Sequence, residues 1–441
     1  MKNFFSILVF LFSLTLYSQA GHIMQGVGSI NMSMGGAATG QPIDISGALH
    51  WNPATISTFD EDILKFDIGF FFSSPELSST VPVFDTTGMP TGEFFSGVTK
   101  DDRGVSPLPA LAMVWGANDS KHTFGASAFG ISGFGVTFPE NASNPINAPQ
   151  SMGGFGRIES DYSLLQVGFA WAYAISDQFS VGVQPTFNYS TLELMPNPTA
   201  NPNQSGYPST NKATALGFGG QIGLFYDTGV GFKFGTSYKT TQSFGDFEFD
   251  NTYLNGTTAT NKFNMDYPAI WSLGAGFSEG DFDVALDYRL VNYENTDGFS
   301  ETGWTQTASV AGFGWKNMSI ISAGIQYKGV DKLPLRLGYT YSSNPIESDV
   351  AFFNIPATAI IKNAFQFGLS YEVSNAVRLD GVYHYGSSGD ATAGPLLNPM
   401  FISSYPPYGA IPGSEVSYDM TTSMVMVGIS YTFKTKTEET E

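Results

Sequence analysis

The chain has 441 residues, of which 13% are charged and 15% aromatic, with 50 glycines, no cysteine and a formal charge of −20. That charge argues against nucleic acid as a partner, since phosphate recognition needs clustered Lys and Arg. The lack of cysteine excludes disulfides, thiol catalysis and cysteine metal sites together, and the aromatic, glycine-rich usage fits neither a helical enzyme nor a disordered chain.

Residues 1–20 read as a secretory signal peptide: Lys2 gives the positive start, Phe4 to Tyr17 the apolar stretch, and Ser18-Gln19-Ala20 a small-x-small cleavage site, so the mature chain is expected to begin at Gly21. No later run approaches the roughly 18 consecutive apolar residues of a membrane helix, so a membrane-spanning mature chain must span with strands. Residues 21–62 read as a compact N-terminal insert. Its first part, Gly26 to Gly40, includes the pair Gly35-Gly36 and permits close approach of chain to chain. Its second part, GALHWNPATISTFD from Gly47 to Asp60, holds Asn52-Pro53-Ala54, where Pro53 pushes Asn52 out of the helical region.

From residue 63 the pattern changes to alternation with period two. In Asp161 to Ile175, Leu165, Val167, Phe169, Trp171, Tyr173 and Ile175 share one face, while Gln166, Gly168, Ala170, Ala172 and Ala174 share the other. In Phe282 to Tyr293, Phe282, Val284, Leu286, Tyr288 and Leu290 oppose Asp283, Asp287 and Arg289. The alternation predicts strands at 63–73, 107–117, 121–132, 161–175, 178–194, 213–228, 230–244, 266–278, 280–294, 316–327, 333–343, 362–373, 376–386 and 421–433. Connections between them alternate long and short, the short ones at 118–120, Asp177, Gly229, Gly280, Lys328 to Lys332 and Asn375. Long loops on one side and tight turns on the other are the mark of an outer-membrane barrel. The expected fold is all-β: a fourteen-stranded antiparallel transmembrane β-barrel over 63–433, plugged by an N-terminal hatch, with a charged periplasmic tail at 434–441. Expected surroundings are outer-membrane lipid and the barrel assembly machinery.

The run GSINMSMGGAATG, then ISGALHWNPATIS, then the first strand resembles the N-terminal hatch of the outer-membrane long-chain fatty acid transporters, the FadL/TodX/OmpP1 family. LPLRLGYTYSSNPI, carrying Arg336, Gly338, Tyr339, Asn344 and Pro345, resembles the family's Arg-x-Gly-aromatic strand, and the ending Gly428-x-x-Tyr431-x-Phe433 resembles the C-terminal assembly signal of outer-membrane barrels. The resemblance implies passive uptake of long-chain fatty acids or other hydrophobic molecules, hatch gating through Asn52, Pro53, Ala54, Gly35 and Gly36, and sideways exit at a kinked third strand. Here that strand is 121–132, where Gly125, Gly130, Gly133 and Gly135 allow a bend or bulge.

Candidate ligand contacts are Phe134, Phe138 and Phe155 in an expected long loop, Ser132 to Ser160, and the lumenal cations Arg289, Arg336 and Arg378. The arginines either meet a ligand carboxylate, which needs a charged partner when buried, or pair with Asp287 and Asp380 across neighbouring strands. A catalytic reading has only His384 with Ser387 and Ser388 to draw on, without an oriented acid or oxyanion hole, so no catalytic residue, cofactor or metal is expected. The alternatives to a hydrophobic channel are a general porin or a non-enzymatic surface adhesin.

Overall fold

The computed structural model describes residues 21–433 apart from positions 88, 118 and 119, so the expected signal peptide 1–20, the tail 434–441 and most of the short connection 118–120 lie outside the described residues. The wall comprises β1 (Ile63–Phe84), β2 (Ser106–Trp115), β3 (His122–Phe138), β4 (Ile158–Ala174), β5 (Phe179–Met195), β6 (Ala213–Asp227) and β7 (Phe232–Lys239). It continues with β8 (Ala269–Glu279), β9 (Phe282–Asn292), β10 (Met318–Tyr327), β11 (Leu335–Ser342), β12 (Asn363–Glu372), β13 (Val377–Ser387) and β14 (Glu415–Thr432). Each pairs antiparallel with the next, and β14 returns to β1 in register from Ile63↔Thr432 to Thr80↔Glu415, which closes the fourteen-stranded barrel. Closure leaves no strand at an edge, the condition for a sheet to sit in lipid.

The two faces differ as the alternation requires. Leu165, Phe169, Trp171, Leu286, Val427 and Tyr431 stand exposed on the outer face, whereas Gln166, Ala170, Ala285, Asp287 and Met426 are buried on the inner one. Several strands differ in extent from the sequence pattern. β1 runs on to Phe84, its outer half pairing with 90–100, and β14 starts at Glu415 rather than 421. These extensions rise beyond the lipid, where neither face must be continuously apolar and the alternation signal fades. The expected strand 230–244 ends at Lys239, after which the chain turns so that Gln242 and Phe244 pack over Gly219 and Gly217. β3 continues to Phe138, so Phe134 and Phe138 lie on a strand and not in the expected 132–160 loop; a bulge at Ile131 shifts the register against β4 between Gly130 and Ser132. That extra residue turns Ser132, Phe134, Val136 and Phe138 all to the buried side.

The outer ends of the long loops fold together as a head. Strands 209–210, 247–252 and 258–263 form a small sheet there, and Phe138, Phe299, Phe313, Trp315 and Phe353 share its apolar core with residues of the lumen.

Candidate functional site

Residues 21–62 occupy the lumen and follow its circumference. The segment starts at β3, where the Met24 amide donates to Ile131 O at 3.0 Å and the Gly133 amide to His22 O at 3.1 Å. Helix α1 (Ser29–Ser33) lies against β12 and β13, and the chain then turns at Gly35 and Gly36, whose φ values of 67° and 79° are left-handed. It passes β8 and β7, recrosses the lumen in α2 (Ile45–Trp51), and ends in a short 3-10 helix, Pro53–Thr58, beside β4 to β6. Asp44 caps α2, accepting from the Gly47 amide at 3.2 Å.

Wall glycines mark this path. Gly428, Gly368, Gly338, Gly324, Gly274, Gly235, Gly223 and Gly182 each face the segment, and a methyl group at any of them would crowd atoms of Ser29, Ser33, Gly35, Met34, Gly40, Thr39, Asn52 and Ala54 respectively. Between the glycines, charged side chains fix the backbone. Asp287 Oδ2 accepts from the amides of Ala38 and Thr39, both at 2.9 Å, and from Arg289 at 2.6 Å. Arg289 also donates to Gly36 O at 2.8 Å and stacks 3.6 Å from the Trp51 ring centroid. Asp67 accepts from the Ser29 amide at 2.9 Å, and Lys65 reaches Asp44 at 2.8 Å and Asp380 at 3.5 Å. Buried charges of this kind persist only when paired, and here they are paired to the insert.

Asn52 joins insert to wall. Its amide donates to Thr39 O at 2.9 Å and to Leu224 O of β6 at 3.0 Å, while its Oδ1 accepts from the Ala54 amide at 3.1 Å. Pro53 opens the short 3-10 helix, a first-turn place where a missing N–H costs nothing. Trp51 O accepts from Gln221 at 2.7 Å and from Ser237.

The wall is interrupted at one side of the segment's start. Pairing of β2 with β3 stops at Ala110↔Phe129, and the two sides rejoin only where the Asp102 amide donates to Thr137 O at 2.8 Å. Between these points 103–109 face 130–136 across a window. Arg103 spans its outer rim, donating to Ser160 O at 2.8 Å and to Asp161 at 2.7 Å on β4. On the lumenal side, 22–24 add to β3 as a short strand, with Ile23 opposite Ser132. A cavity of about 360 Å³ lies here, lined by Ile23, Met24, Phe71, Leu108, Phe134, Tyr162 and Met420 among others. That size lies within the usual range for small-molecule pockets, which are mostly apolar with few polar groups.

His22 holds the arm in an aromatic cage. Its Nδ1 lies 2.8 Å from the Tyr293 hydroxyl, its ring stacks on Phe299 at 4.8 Å, and Tyr162, Tyr267, Phe134 and Trp315 surround it. Burial lowers its pKa from 6.5 to about 3, so the imidazole is neutral at physiological pH. His50, buried near Lys239 and Arg289, is held well below the usual histidine value by burial first and by those cations second.

Of the residues singled out from sequence, Phe134 lines this cavity, whereas Phe138 is buried in the head and Phe155 packs on Tyr207 and Phe352. Arg289, Arg336 and Arg378 do not line it: Arg289 pairs as above, Arg336 donates to Gln326 at 2.6 Å and Ser370 at 2.8 Å, and Arg378 lies 3.3 Å from Asp380. His384 faces Gln366 at 3.2 Å and Thr422 at 3.5 Å, contacting neither Ser387 nor Ser388. Sequence reasoning did not single out His22, Tyr162, Arg103 or the methionines; an aromatic-rich cage assembled from five separate loops and strands leaves no local motif.

A closed barrel with a filled lumen, an apolar cavity and a side window defines an outer-membrane transport protein rather than an open pore. The family model of the outer membrane protein transport proteins (OMPP1/FadL/TodX) matches residues 14–434, and the chain belongs to that family. Its fold is similar to the Pseudomonas putida toluene transporter TodX, with a TM-score of 0.66 and 18% identity over 93% of this chain and 99% of that one. A Pseudomonas aeruginosa FadL homologue gives 0.72 and 14% over 94% and 100%, and the Ralstonia pickettii toluene transporter TbuX 0.64 and 16% over 93% and 99%. At such identities the likeness is one of fold. No curated protein is matched by sequence.

Proposed function

We propose that the protein takes up long-chain fatty acids or other hydrophobic molecules passively across the outer membrane, with residues 21–62 as a hatch. Molecules gather in the cavity beside the arm 21–24 and leave through the window between β2 and β3. The observation that carries this reading is the coincidence of three things: a break in the wall ladder, a mainly apolar cavity behind it, and residues 22–24 seated on the broken edge. The window lies level with the outer half of β4, from Leu165 to Glu159, and its lower part adjoins the exposed apolar side chains of Leu165 and Phe70. A solute that moves from cavity to lipid keeps its apolar surface covered, which needs no energy source. Monoaromatic hydrocarbons fit the same reading, since relatives of this fold are described as toluene transporters.

Because the chain has no cysteine, an engineered pair tests the arm without side reactions. Ile23 and Ser132 face each other between ladder bonds, where Cα atoms stand about 4.5–5.5 Å apart, within the span of a disulfide. With Ile23→Cys and Ser132→Cys, uptake of a labelled long-chain fatty acid into proteoliposomes should stop on oxidation and recover on reduction. Equal uptake in both states would remove the arm as a gate.

A further inference from the structure

The cavity beside the arm does not end at the lumen. Ile23 and Met24 line its inner part, whereas Val105, exposed on the outer face, lines it together with Arg103, Gly135 and Asp161, so one continuous space passes through the window. Arg103 crosses that space. Its side chain leaves the 101–105 segment, on the β1 and β2 side, and passes β3 to reach β4, where Nη1 donates to Ser160 O at 2.8 Å and Nη2 to Asp161 at 2.7 Å.

The surroundings are built for this crossing. Gly135 of β3 stands opposite Asp161 of β4, and a methyl group at Gly135 would overlap Nη1 of Arg103, so the guanidinium rests directly on the glycine. Asp101 anchors the near end, its carboxylate accepting from the Arg103 amide at 3.0 Å and from the Thr137 amide at 2.5 Å. Lys212 steadies Asp161 at the far end. The side chains of Arg103 and Asp161 are 20% and 29% exposed, against 1% and 0% for Arg289 and Asp287. The rim pair can therefore part into water without stranding a buried charge, which the lumenal pair cannot do. Where β2 and β3 lack ladder bonds, this two-bond fork ties the two sides together, and it limits how far 103–109 separate from 130–136.

We propose, on the basis of the uptake reading above, that Arg103 is a strap that sets the width of the window and so the girth of the molecules that leave through it. Slender chains pass beneath the closed strap; bulky ring systems pass only when Arg103 releases β4. Gly135 is the seat of the guanidinium, and Ser160 O and Asp161 are its catch.

The test is uptake of two labelled fatty acids with one headgroup and different girth, palmitate and a dodecanoate tipped with pyrene, into proteoliposomes, above the rate in protein-free liposomes. Wild type should take up palmitate roughly tenfold faster than the pyrene-tipped acid. Arg103→Met keeps a long side chain but cannot donate, and it should raise uptake of the pyrene-tipped acid about fivefold while leaving palmitate within about twofold. Gly135→Ala keeps the charge and removes the seat, so it should shift the preference in the same direction, whereas Arg103→Lys, still able to reach Asp161, should stay closer to wild type. Equal uptake of both acids by wild type overturns the proposal. So does an unchanged preference in Arg103→Met, an equal rise of both acids, which marks a leaking wall, or a selective loss of palmitate, which would make Arg103 a carboxylate contact. Should Arg103→Met fail to assemble, Gly135→Ala decides by the same criteria. Uptake of neither acid by wild type defeats the uptake reading itself, a result distinct from uptake of both at one rate.

Discussion

Asp287 ties wall to insert through two backbone amides and Arg289, and its removal gives a graded expectation. Asp287→Ala deletes the acceptor of the Ala38 and Thr39 amides and leaves Arg289 buried over Trp51 without an acid. Breaking a buried pair by removing one partner costs about 3–5 kcal/mol. The loss falls on docking of the insert, because the barrel ladder around Asp287, Gly274 to its one side and Ser322 to its other, is untouched. Amides of 36–41 should therefore exchange hydrogen faster by roughly two to almost four orders of magnitude, as each 1.4 kcal/mol is about tenfold, while amides of β9 keep their protection. Hydrogen exchange with mass spectrometry on the refolded protein measures this directly. Adding Arg289→Met removes the stranded cation, and the double variant should recover most of the loss. Unchanged exchange at 36–41 in Asp287→Ala, or a double variant worse than the single one, would refute the view that paired charge holds the insert to the wall.

Other expectations follow from the same contacts. A side chain at Gly235 would strike Thr39 O, so Gly235→Val should leave heat-modifiable barrel on gels yet destabilise it by an overpacking cost of about 1–3 kcal/mol, read as a lower thermal midpoint; Gly381→Ala, with nothing within 4 Å, is the silent control. Asn52→Ala with Pro53→Ala should change fatty acid uptake while assembly stays intact, and normal uptake in that variant would leave Asn52 a structural anchor without a gating role. Protonation should loosen the arm. His22 titrates at about 3 when docked and at 6.5 when free, so the free arm binds more protons between those values. Docking is complete above 6.5 and weakens by about 1.4 kcal/mol for each pH unit below it. Exchange of amides 22–24, corrected for intrinsic rates, should rise with acidification in the wild type and not in His22→Phe.

The barrel was legible because lipid imposes one rule on every strand: Leu165, Phe169 and Trp171 must alternate with small or polar residues, and the chain repeats this around the wall. Where lipid ends the rule ends, which is why the upper part of β1, with Pro75 and Pro82 inside it, reads as loop from sequence. The glycines of the third strand pointed to a bend or bulge, but its place at Ile131 was hidden for a related reason, since one extra residue breaks the parity on which the pattern depends. At the candidate site, the glycines and Asn52-Pro53 of the insert were visible as features needing close packing. Their partners were not. Gly235 and Gly324 read as ordinary small inward residues, and only the fold shows that each faces the insert. The lumenal charges were visible too, with both readings open; the structure commits Arg289 to Asp287 and to the insert backbone. His22 and Tyr162 meet only after the barrel closes, so their pairing has no trace in the linear order.

The length of β1 also sets how far the protein stands off the cell. Its 22 residues span about 73 Å along the strand at about 3.3 Å each, or about 56 Å of height at a tilt near 40°. An apolar band of about 25 Å leaves roughly 30 Å projecting outward. Phe94 and Phe95, exposed on the hairpin that β1 forms with 90–100, ride at that height. The outer leaflet of such a membrane is roofed with carbohydrate, a hydrated layer that repels oily solutes more effectively than lipid does. A tower of this height places greasy side chains at or beyond the sugar surface, so a hydrophobic molecule first touches protein before it has to cross that layer.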